Sequence, residues 1–162
     1  IMVANALANV GNLTNVFDVA LVVQAAAYAS GDVIGGKITL TGAMLQDGGT
    51  GILQSLALCS KADLTVDMDV IVFSADPAGT TFTENGPVAV DVADIAKVLG
   101  VVTLSTRSDL GTPVIAHLRN VGMPLKSAAA SRNLYACVVA RGAYTPASTA
   151  DVTLRFGIQN DL

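Results

Sequence analysis

Charge is what this 162-residue chain has least of: 14% of its residues are charged, against about 25% in a typical soluble domain. So little charge does not cover an ordinary monomer's surface, and a compact domain that shares its surface with neighbours is expected. Tryptophan is missing, aromatic residues make up 4%, and His117 is the only histidine. A zinc or cupin-like centre needs a cluster of His, Cys or carboxylate ligands, which one histidine cannot build. Aromatic platforms for stacking sugars or bases are equally scarce. Glutamate occurs once, at Glu84, and helix-forming charged residues are sparse. Long apolar runs are absent too. The longest stretch without a charge or turn signal, residues 19–29, is interrupted by Gln24, whereas a membrane helix needs about 20 apolar residues. The first basic residue is Lys37, which argues against the positively charged start of a secretory signal.

What is present is apolar. Hydrophobic residues are 52% of the chain and the mean hydropathy is +0.58, which excludes intrinsic disorder. The length fits one domain, with or without an arm. The net charge is −4, and the nine basic residues (Lys37, Lys61, Lys97, Arg107, Arg119, Lys126, Arg132, Arg141, Arg155) are scattered. None interleaves with aromatics, so no nucleic-acid groove is expected. Cys59 and Cys137 sit in apolar, strand-like segments, where buried free thiols are the expectation.

The hydrophobic period is two almost throughout, the pattern of strands with one buried face. Apolar residues alternate at Phe17–Val23, Ile38–Met44, Ile52–Leu58, Val66–Val72, Val102–Leu104, Val114–Leu118, Leu134–Ala140 and Val152–Ile158, giving eight candidate strands. Turn chemistry falls between them: Ser30-Gly31-Asp32, Asp47-Gly48-Gly49, Asp76-Pro77-Ala78-Gly79 and Gly111-Thr112-Pro113. A single short helix is expected over residues 92–99, capped by Asp91, with Val92, Ile95, Ala96 and Leu99 as an apolar stripe and Gly100 after its end. No βαβ alternation is visible. An all-β fold follows, an eight-stranded antiparallel β-sandwich of jelly-roll type, with an immunoglobulin-like sandwich as the weaker alternative.

Residues 1–15 carry four asparagines, no charge and no regular period. They read as an N-terminal arm preceding a sandwich domain of residues 16–162. Ile1, Met2, Val3, Leu7, Val10 and Leu13 would be wasteful on a free tail, so they are the candidate contact residues toward a sister subunit or a larger partner.

The polar residues give no catalytic or metal-binding pattern, and no cofactor is expected. His117 lies between Ile115 and Arg119 on the less apolar face of its strand, as a surface or subunit-contact histidine would. Asp67 and Asp69 share a face; calcium wants six or more oxygens from a shaped loop, so pairing with basic residues of an adjacent strand or subunit is the simpler expectation. Residues 31–36 (GDVIGG) match neither phosphate-loop pattern, and no helix follows them.

Four segments carry a resemblance: residues 27–40 (AYASGDVIGGKITL), 72–86 (VFSADPAGTTFTENG), 134–142 (LYACVVARG) and 148–158 (STADVTLRFGI). In this order and spacing the chain resembles, over residues 17–160, small structural proteins of tailed-bacteriophage genomes akin to capsid decoration (cement) proteins. The resemblance implies a β-rich structural virion protein without enzymatic activity. It also implies a homotrimer that binds the major capsid protein on the capsid exterior and stabilises the shell, after synthesis in the host cytoplasm. Neither nucleic acid nor membrane is an implied partner. A β-sandwich binding module on a phage tail or fibre is the alternative function.

Overall fold

The computed structural model describes residues 13–161 of the chain. Nine strands run in order: β1 (Leu13–Leu21), β2 (Val33–Leu40), β3 (Thr50–Ser60), β4 (Met68–Phe73), β5 (Val98–Leu104), β6 (Arg107–Asp109), β7 (Val114–Lys126), β8 (Leu134–Ala140) and β9 (Val152–Asn160). All eight anticipated strands are present. The ninth, β6, has three residues and was not anticipated. β1 begins at Leu13, so residues 13–15, assigned above to the arm, are strand.

The strands form two antiparallel sheets in the orders β1-β9-β3-β7-β6 and β2-β8-β4-β5. With the short β6 set aside, the pairs β1·β9, β2·β8, β3·β7 and β4·β5 nest first with last, second with next-to-last, and so inward. β9 and β8 join these pairs sideways to β3 and β4. This is one long hairpin wound into two facing sheets, the jelly-roll arrangement.

The main core lies between the sheets. The first contributes Leu21, Leu53, Leu56, Leu58, Ala116, Leu154, Phe156 and Ile158; the second contributes Ile34, Leu40, Met68, Val70, Val72, Leu104, Ala136 and Val138. The expected face of β3 changes partway. A register shift between Leu53 and Ser55 places Leu53 inward and leaves Ile52 on the half-covered outer face. An extra residue in a strand inverts the inside–outside parity beyond it. Where β1 and β2 meet across the sandwich, Gly35 (φ +77°) lets the backbone approach Leu21. A Cβ built there would lie 2.7 Å from Leu21 Cβ.

The second sheet departs from the one-buried-face expectation. Every residue of β4 is buried, and all but Tyr135 of β8. The long connection from β4 to β5, residues 74–97, folds back over this sheet's outer side. Phe82, Val88 and Val90 then cover Ile71, Phe73, Cys137 and Val139 in a second apolar cluster. Phe82 meets Phe73 edge-on, with ring centroids 6.0 Å apart. The apolar runs VIVF of β4 and LYACVVA of β8 are the sequence mark of burial on both faces, and the one charge of β4, Asp69, is met by Arg141.

The expected helix is a six-residue 3-10 helix, Val92–Lys97; Val92, Ile95 and Ala96 of its apolar stripe face solvent, and Leu99 lies in β5 packed against the main core. Val92 is 87% exposed and Ile95 61% exposed, while Asp94 is buried. The reason is the period. At three residues per turn, Asp91, Asp94 and Lys97 share one face, and Val92 and Ile95 share another. The Asp91 carboxylate caps the helix by accepting from the Ala93 N–H, as expected, whereas Gly100 lies within β5.

The covering layer predicts a measurable cost. Phe73→Ala should destabilise the domain by about 3–5 kcal/mol in denaturant unfolding, as for a fully buried core phenylalanine. A loss below about 1 kcal/mol would show that the covering segment contributes no packing.

Candidate functional site

A covering segment of turns and isolated bridges needs polar anchors, and three hold this one. At its start, Gly79 N–H (2.9 Å) and Thr80 Oγ1 (2.8 Å) donate to Asp94 Oδ2, and Lys97 Nζ donates to Asp94 Oδ1 at 2.7 Å. The Lys97 ammonium holds the Asp94 carboxyl below the usual carboxylate range, Thr80 adds to this, and burial works against it. In its middle, backbone hydrogen bonds from Val33 N to Gly86 O, Asn85 N to Val33 O and Val88 N to Gly31 O tie it along β2. At the same place the buried Tyr28 hydroxyl donates to the Glu84 carboxylate and accepts from Gln24 N–H. Burial, and then the Glu84 hydrogen bond, push the Tyr28 phenol above its ordinary value.

The acid pair singled out in the sequence is engaged by arginines. Asp69 accepts from Arg141 Nε and Thr103 Oγ1, each at 2.6 Å, and Asp67 accepts from Arg107 at 2.6 Å. Across the edge of the first sheet, Arg155 grips Asp18 with two hydrogen bonds (2.6 and 3.0 Å). Six of the nine basic side chains form ion pairs within the chain, each with a different aspartate. The surface therefore carries few free charges. Against that background stand six large exposed apolar side chains: Val16, Val22, Val92, Ile95, Val101 and Leu110.

The outer face of the first sheet holds a cavity of about 350 Å³, lined by Ser55, Ala57, Ser108, Leu110, Ile115, His117 and Arg119 among others. Strand register builds it. Ser55 and Ala57 of β3 lie opposite Arg119 and His117 of β7, and β6 supplies Ser108 at its rim. His117 is half-buried, and its Nδ1 has no hydrogen-bond partner. Arg119 is exposed and forms no ion pair among the described residues. Besides His117 the lining's one ionisable side chain is Arg119, which stays protonated and cannot act as a base, so the described lining offers no acid–base pair.

Cys59 projects from the outer face of the first sheet and Cys137 from that of the second, and both are free. The two thiols stand on opposite sides of a sandwich whose sheets are about 10 Å apart, so they cannot bridge. Burial pushes the Cys137 thiol up to about 12. Among the described residues no group of three or more His, Cys, Asp or Glu side chains is placed to hold a metal, and no helix is long and apolar enough to cross a membrane. Of the anticipated contact residues, Ile1, Met2, Val3, Leu7 and Val10 lie outside the described residues. Leu13 opens β1, its backbone opposite Asn160. The exposed valines of β1 and its end, and the cavity around His117, were not singled out as contact sites. The first left a signal in the alternation of Val16 and Asp18, whereas the second depends on a register no sequence shows.

No family model matches the chain, and no curated protein matches it. Among solved structures it is similar to a chain of the tomato aspermy virus crystal structure, with a TM-score of 0.43 and 10% identity over 100% of this chain and 95% of that one. A chain of turnip yellow mosaic virus gives 0.31 and 14%, over 92% and 91%. The infectious bursal disease virus VP2 subviral particle gives 0.23 and 13%, over 93% of this chain and 41% of that one. The fold itself is defined by the strand order.

Two outcomes are expected from the anchors and thiols. Because its folded-state pKa is depressed, Asp94 contributes stability that is present above the ordinary aspartate value near 4 and is lost as the pH falls through the folded value. Asp94→Asn should lower the melting temperature at neutral pH and flatten the acid limb of the stability profile; an unchanged acid limb would contradict this. A thiol reagent at about pH 8 should modify Cys137 only after unfolding. Prompt modification of Cys137 in the native protein would contradict the burial described.

Proposed function

We propose that this chain is a structural virion subunit, and more specifically a head decoration (cement) protein that binds the outer capsid surface and stabilises the shell. The observation that carries the reading is the surface. A rigid jelly roll with most basic side chains engaged internally leaves apolar groups exposed and little charge to hold neighbours apart. Interfaces are built from such surfaces, with charge depleted at their centres. The four segments that resemble tailed-phage decoration proteins support the same reading. On it, the partners are the major capsid protein and two sister copies in a homotrimer, and attachment is strong through several weak contacts made together. Ile1, Met2, Val3, Leu7, Val10 and Leu13 are the proposed contact residues, with residues 1–12 acting as an arm toward a sister subunit or the capsid protein and Leu13 at the start of β1.

A second reading, a binding module on a tail or fibre, is favoured by one feature. The His117 and Arg119 cavity offers two polar side chains beside Leu110 and Ile115, as a small-ligand site does.

Purified chain mixed with DNA-free expanded heads of its phage should co-sediment with them at saturable stoichiometry. Removing residues 1–12 should leave circular dichroism unchanged and weaken that binding. Recovery of the chain in tail fractions, with none on heads, would replace the first reading by the second. Absence from purified virions would contradict both.

A further inference from the structure

A β-sheet edge is a template for another strand, and proteins that stay apart blunt their edges with proline, lysine, bulges, shortness or a covering segment. Three of the four edges here are treated in that way. β2 is bent by a register shift around Gly35 and Gly36, carries Lys37, and is bridged by residues 84–87 of the covering segment. β5 turns into β6 of the opposite sheet after only Ser105 and Thr106, and β6 has three residues. Among the described residues β1 has none of these devices. It pairs with β9 over nine residues without a register shift, contains no glycine, proline or lysine, and its other edge is unpaired among the described residues. Its single charge, Asp18, is neutralised by Arg155 on the neighbouring strand.

We infer that β1 pairs antiparallel with β1 of a second copy across a two-fold axis centred on Val19, joining two five-stranded sheets into one continuous sheet. The sequence selects both the partner and the register. Residues 16–22 read VFDVALV. With Val19 opposite Val19 of the partner, Phe17 meets Leu21, Asp18 meets Ala20, and Val16 meets Val22. Val16 is 61% and Val22 78% exposed, and this register covers each with the other. A shift by one step, centring the axis on Asp18, sets two like charges directly opposite, which is unfavourable. Centring on Phe17 sets Val16 against Asp18. A strand that reads as its own complement fits the isologous contact of a two-fold pair. The pairing stands on the strand edge alone and is distinct from any three-fold contact in the proposed virion role.

Cysteine pairing tests it in a Cys59→Ser background. Opposed residues of antiparallel strands have Cα atoms about 4.5–5.5 Å apart, within disulfide range. Val16→Cys protein mixed with Val22→Cys protein should give, on mild oxidation, at least tenfold more covalent dimer than either variant alone. The full chain carrying Val16→Lys and Val22→Lys should keep its circular dichroism and sediment as a species with half the mass of the unaltered chain's, any three-fold contact being left intact. Equal cross-linking in the mixed and single samples, or a folded lysine variant that associates as before, would overturn the pairing. Because neither readout involves heads, the pairing can fail while head binding holds, and the reverse.

Discussion

β9 lies between β1 and β3, so the last strand of the chain completes the sheet that the first strand opens. This contact is the outermost of the nested pairs and joins β1 to the rest of the first sheet. It also requires pairing between segments nearly the whole chain apart, the kind of closure that makes all-β topologies slow to fold. Phe156, in the middle of β9, faces Phe17 of β1 on one side and Leu56 of β3 on the other, so the junction is apolar as well as hydrogen-bonded. A further consequence is that β1 becomes the outer strand, with β9 as its one strand partner among the described residues.

The second sheet meets a different constraint. Its central strands, β4 and β8, are buried on both faces and need a covering layer on the outer one. The connection between β4 and β5 supplies the missing layer, with Phe82, Val88 and Val90 as its apolar side and Asp94, Thr80 and Glu84 among its polar anchors. The chain thus covers one outer face with its own residues and leaves the other, around Ala57, His117 and Arg155, only half-covered.

Much of this was legible from period and turn chemistry. Alternation located eight strands because a strand with one apolar face repeats every two residues, and all-β architecture followed from the lack of βαβ alternation. The missed features have physical reasons. The face of Ile52 was misjudged because the register shift beyond Leu53 has no compositional signature. Val92 and Ile95 were placed inward because a period of 3.6 was assumed where the chain takes a period of three. The covering layer had a signal, the continuous VIVF at the end of β4. Its polar anchors had none, since contacts such as that of Tyr28 with Glu84 join residues far apart in sequence. Of the expected contact residues, only Leu13 falls among the described residues.

Sedimentation velocity at low and high salt tests the central claim, a subunit built to associate through apolar surface and strand edge. Salt at about 1 M reduces the screening length to about 3 Å, so contacts between exposed charges weaken while apolar contacts persist. The account predicts an oligomer at micromolar protein that is unchanged or strengthened in high salt. A monomer under every condition, or an assembly that dissolves as salt is raised, would contradict it.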